Sequence, residues 1–181
     1  QEYLFADSGP LFVLGCAPVE VDEMESRLAE LSESYDCFSA EGETNGAPHV
    51  PKKLGKEFVT PTIIPIAASA RSDGSNDALL IQFKNKHMSG RANDVEERRL
   101  SEGTAIWGLQ FLSGDSVVVP WTCSDVMDPE LQNEVITYCH RSPSYVVHVQ
   151  CNPDPFNKTW INFRENLFET DGVVSYAVAN W

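Results

Sequence analysis

The stretch Val117-Val118-Val119-Pro120-Trp121-Thr122, and after it Tyr145-Val146-Val147-His148-Val149-Gln150-Cys151-Asn152-Pro153, governs the reading of this chain's fold. Each segment alternates or runs apolar over strand length and ends in turn chemistry, the signature of a β-strand. Just upstream, residues 104–112 put Ala105, Trp107, Leu109 and Phe111 on one side, and Ser113-Gly114-Asp115 joins them to 117–122. A connection that short predicts direct antiparallel pairing. Between the two quoted strands, Asp128-Pro129-Glu130 opens a helix with Pro at its first position, and Leu131, Val135 and Cys139 follow at spacing four. His140 and Arg141 suit the negative end of that helix, and Pro143 prevents its continuation. Residues 159–163 and 173–179 read as further strands.

Towards the N-terminus, Leu11-Phe12-Val13-Leu14 is a short apolar run stopped by Gly15. Val21, Met24, Leu28, Leu31 and Tyr35 then recur at helical spacing, with Asp22 and Glu25 placed as a capping box. Residues 39–56 are polar and rich in Gly and Pro, so they read as a loop or linker and mark the one boundary in the chain. Residues 58–70 are extended but interrupted by Pro61 and Pro65, which favours an edge strand. Residues 78–84 alternate, with Leu79, Ile81 and Phe83 on one face and Gln82 and Lys84 on the other. Residues 93–100 suit two turns of helix, stopped by Gly103.

Eight strand candidates with helical excursions between them predict an all-β fold with short helices, an eight-stranded antiparallel jelly-roll β-sandwich. The alternative is an α+β layer on the two best helices. The expected organisation is an acidic N-terminal segment with one helix over 1–56, leading into a main sandwich over 57–181.

A chain of 181 residues suits one domain that buries roughly 70% of its unfolded surface. The longest apolar run, 58–70, falls short of the ~20 residues of a membrane span and contains two prolines. The net charge of −14 is unevenly spread: −10 over residues 1–50, +2 over 51–110 and −6 over 111–181. Phosphate neutralisation wants the opposite sign, so an acidic solvated face or a partner-facing acidic surface is expected instead of strong nucleic-acid contact. Cys16, Cys37, Cys123, Cys139 and Cys151 contain no CxxC pair and cannot all pair, which predicts reduced thiols. The triplet Asn157-Lys158-Thr159 is a chance sequon on that reading.

No motif with a catalytic mechanism behind it is present in the sequence. Cys139 beside His140 would make a thiol and base, but helix neighbours point about 100° apart. His148 and Cys151, three apart on a strand, face opposite sides and read as a surface imidazole and a core thiol. Asp73, Ser75 and Asp77 could surround a hard cation, although an Asx-stabilised turn explains them without a metal. Trp107, Trp121, Trp160 and Trp181 read as core or subunit-contact residues. No cofactor is expected.

Across residues 103–163, the order of features resembles the jelly-roll coat proteins of picorna-like plant viruses, the secoviruses and their cheravirus-like members in particular. The pieces are Gly103-Thr104-Ala105-Ile106, Val117-Val118-Val119-Pro120-Trp121, residues 145–153 and Trp160-Ile161-Asn162-Phe163-Arg164, with Ala78-Leu79-Leu80-Ile81-Gln82-Phe83 upstream. The resemblance implies a coat subunit that assembles with other coat proteins into an icosahedral shell around RNA, in the host cytoplasm and then the virion. It also implies release from a polyprotein, which would give a chain starting at Gln1, and exposed or contact-making loops such as 124–144. The acidic first fifty residues differ from basic coat-protein arms and imply little RNA contact by this subunit. Two other classes compete. A secreted or organellar accessory subunit predicts disulfides such as Cys16–Cys37 or Cys123–Cys139, and an enzyme would use Cys139 or a turn-bound metal.

Overall fold

A computed structural model describes residues 14–15, 17–66, 77–88, 94–110, 116–150, 154, 156 and 158–180. Strands and short helices form several sheets, none of which closes into a barrel among the described residues. The chain divides into two compact units, Gln1–Ala105 and Ile106–Trp181. The polar stretch 39–56 therefore lies inside the first unit.

In the first unit the strands are β1 (Leu14–Gly15), β2 (Val19–Glu20), β3 (Asp36–Ser39), β4 (Glu43–Thr44), β5 (Ala47–Pro48), β6 (Phe58–Val59), β7 (Pro61–Ile66) and β8 (Ala78–Phe83). Helix α1 (Val21–Leu31) follows β2, and α2 (Asp94–Arg99) follows β8. The main sheet runs β1-β7-β8-β3, antiparallel except for the parallel β3–β8 pair. Helix α1 closes one face: Val21, Met24 and Leu28 pack with Val50, Val59, Leu79, Ile81 and Phe83 in one apolar cluster. The expected face of Leu79, Ile81 and Phe83 is thus the core face. The opposite face is not solvated as expected, because Gln82 and Lys84 are buried too. Among the described residues, β1 pairs with Thr62 and Ile63 of β7 and with neither Pro61 nor Pro65, so no backbone donor is missed there. Asp22 does not cap α1; the N-cap is Glu20, and Asp22 and Glu23 lie in the first turn, where they oppose the helix dipole favourably. Within 39–56, Asn45 and Gly46 both take positive φ and turn β4 back onto β5, the conformation that an Asn-Gly hairpin favours.

The second unit holds β9 (Leu109–Gln110), β10 (Val117–Thr122), α3 (Pro129–Cys139), β11 (Ser144–Gln150), α4 (Lys158–Phe168) and β12 (Val173–Asn180). The sheet order is β12-β11-β10-β9. Strand β9 pairs antiparallel with β10 as expected, through Val117↔Gln110 and Val118↔Leu109. The expected antiparallel order is corrected for the other strands: β10, β11 and β12 are mutually parallel. The physical reason is the connections, since α3 and α4 each carry the chain back along the sheet, as parallel pairing requires. Residues 159–163, expected as a strand, lie inside α4, with Trp160, Phe163 and Leu167 buried at helical spacing. Both helices pack on one sheet face, where Val135, Cys139, Trp160, Phe163 and Leu167 meet Val117, Val119, Trp121 and Val146. Between α4 and β12, Gly172 has φ +97, and a Cβ there would overlap the Cys139 carbonyl oxygen at the end of α3. Only glycine fits.

Candidate functional site

The carboxyl ends of parallel strands are where open α/β sheets ordinarily present functional groups. In the second unit that edge carries several buried polar residues: Thr122 at the end of β10, Ser124 and Asp125 just after it, and His148 and Gln150 at the end of β11. Cys123 begins the 3-10 turn that leaves β10 and takes φ +45, a left-handed conformation uncommon for a residue with a side chain.

The His148 Nε2 lies 3.0 Å from the Cys123 carbonyl oxygen, which can only accept, so Nε2 carries the proton. Nδ1 then accepts from the Tyr176 hydroxyl at 2.5 Å. The ring stacks on Trp160, with centroids 5.1 Å apart and planes 11° apart. Burial lowers the His148 pKa to about 4, against the raising effect of the Cys123 carbonyl, and Arg164 lowers it further. Burial also pushes the Tyr176 hydroxyl well above its ordinary range. The relay Tyr176–His148–Cys123 is therefore neutral at physiological pH, and it holds the backbone of the strained turn. With no exposure and both ring nitrogens engaged, His148 acts here as a positioning group. Trp121 Nε1 and Gln150 Oε1 have no hydrogen-bond partner among the described residues.

The first unit carries a second polar network. The Lys84 ammonium, 2% exposed, meets both carboxylate oxygens of Glu96 at 2.7 and 2.8 Å, and Met88 N–H donates to the same carboxylate at 2.7 Å. Glu102 accepts from His87 at 2.7 Å and faces Lys53 at 3.7 Å. Burial pushes the Glu102 carboxyl up, but His87 and Lys53 together hold it below its ordinary value. Glu41 receives Thr104 N–H, the Thr104 hydroxyl and Ala105 N–H.

The residues singled out in the sequence fall as follows. Cys139 is buried, with its thiol pushed up by burial, while His140 is exposed at the helix end, so the pair does not meet. His148 is fully buried, which corrects the surface reading; Cys151 lies outside the described residues. Asp73 and Ser75 also lie outside them, and Asp77 is exposed. Among the described residues no three His, Cys, Asp or Glu side chains gather as metal ligands. Trp121 and Trp160 are core residues, Trp107 lines a cavity, and Trp181 lies outside the described residues. Cys37, Cys123 and Cys139 are free thiols, so the pair Cys123–Cys139 does not form; Cys16 is not described. No described helix is long and apolar enough to cross a membrane. The sequence reading missed Tyr176 and Trp160 as partners of His148; the parallel pairing of β11 with β12 brings Tyr176 to it, and the packing of α4 on the sheet brings Trp160.

No family model, curated protein or solved structure matches this chain.

Proposed function

We propose that the chain is a structural subunit that works by burial and shape, without turnover. One observation supports this above the rest: the side chains best suited to chemistry are spent on holding the fold. His148 is sealed, neutral and doubly hydrogen-bonded, and Cys139 is a buried thiol held protonated. The coat-subunit role implied by the resemblance is the specific form of this reading, with other coat subunits as partners and a virion as its location. A jelly roll is the fold that role implies. The parallel set β10–β11–β12 does not supply the pairings of a jelly roll, so the coat role rests on the sequence pattern alone.

The native mass tests the proposal. A stable particle far above the 20.1 kDa chain mass, containing the chain in many copies, is the expected outcome. A monomer at working concentration overturns the assembly role. In that case a count of free thiols on denatured, unreduced protein separates the accessory-subunit reading, which needs disulfides, from any intracellular one.

A further inference from the structure

Within the second unit, a cavity of about 150 Å³ lies between α3 and the segment 106–108. Ile106, Val119 and Val135 supply an apolar lining, while Trp107 and Tyr138 add aromatic rings and Glu134 a carboxylate. Glu134 and Tyr138 are four apart on α3, so they stand on one face of the helix. Gly108 makes the room. A Cβ there would come within 3.1 to 3.4 Å of the Tyr138 ring and hydroxyl, tight enough to displace the ring.

Glu134 is exposed, and among the described residues nothing pairs with its carboxylate. We propose that this cavity binds an organic cation of the alkylated ammonium class, with its charge against the Trp107 and Tyr138 rings and beside the Glu134 carboxylate. Ring faces attract cations through their quadrupole, most strongly for Trp. An alkylated ammonium is weakly hydrated and enters an apolar-lined site more readily than a metal ion or a primary ammonium does. A neutral apolar guest would dehydrate the Glu134 side of the site and return nothing to it. The size of the cavity limits the occupant to a compact headgroup. This inference does not depend on the assembly reading.

The test uses the full chain and choline, compared with its neutral isostere in which carbon replaces the nitrogen. The readout is the Trp107 indole N–H resonance, identified by its loss in Trp107→Phe. Choline is expected to shift that resonance saturably, and the isostere to bind at least about tenfold more weakly. Tyr138→Ala and Glu134→Gln should each weaken choline binding by about fivefold or more; both positions are exposed, so neither change should unfold the protein. Absence of a saturable shift up to roughly 100 mM choline overturns the proposal. So does equal binding of the isostere, or undiminished binding by the folded Tyr138→Ala protein.

Discussion

His148 carries a cost that depends on pH. Its folded pKa of about 4 lies below the ordinary 6.5, so the unfolded chain binds the extra proton first as pH falls. Stability contributed by the neutral, buried ring is complete above pH 6.5 and drains away between 6.5 and 4, by about 3 kcal/mol in all. His148→Gln, whose amide can still accept from Tyr176 and donate to the Cys123 carbonyl, should flatten the slope in that window. Urea midpoints measured at several pH values check this, and an unchanged slope would remove His148 as its source. Lys84 and Glu96 make an asymmetric pair. Glu96→Ala leaves a buried ammonium without its counter-charge and should cost about 3 kcal/mol or more, whereas Lys84→Met removes the buried charge and should cost clearly less. Glu96 is left with the Met88 N–H and with contact to water, which is why the two halves differ. Chemical denaturation of the two variants side by side decides it.

At the scale of elements, helix α3 shows how far local chemistry determines structure. Asp128 accepts Glu130 N–H at 2.9 Å and Leu131 N–H at 3.2 Å, with Pro129 next in line, as the sequence indicates. Asp128→Ala should lower stability by about 1 kcal/mol, visible as a lower melting temperature. Helices α1 and α2, strands β8, β10, β11 and β12, and the antiparallel β9–β10 pair were legible in the same way, because periodicity and turns are local. The direction of strand pairing was not. Yet Val117-Val118-Val119-Pro120-Trp121 is continuously apolar, as suits a strand buried on both faces, and a helix of crossover length follows it. Helix α4 was missed for a related reason. Over residues 159–163 alone, Trp160, Ile161 and Phe163 fit either period, and only Leu167 settles on the helical one. His148 was misplaced because it shares the buried side of β11 with Ser144 and Val146, while the half-buried side carries Tyr145 and Val147, so both sides read as apolar and the two-residue rule cannot tell which one faces the core.

The whole molecule consists of two units that arrange their strands differently in sequence. In the second, β10, β11 and β12 each lie next to the strand before them in the chain, so the sheet grows by short steps. In the first, β3 pairs with β8, and four strands intervene between them. The buried relay was invisible in the sequence because it depends on the parallel register of β12 against β11, which no local pattern specifies. The β3–β8 pairing also sets an order of events in time. Closing the longer loop costs more chain entropy before any contact rewards it, so β3 should dock onto β8 after β7 and β8 have paired. In pulsed hydrogen exchange during refolding, backbone amides of β10 and β11 should gain protection before those of β3. Simultaneous protection would mean that a collapsed chain, rather than loop closure, limits the rate.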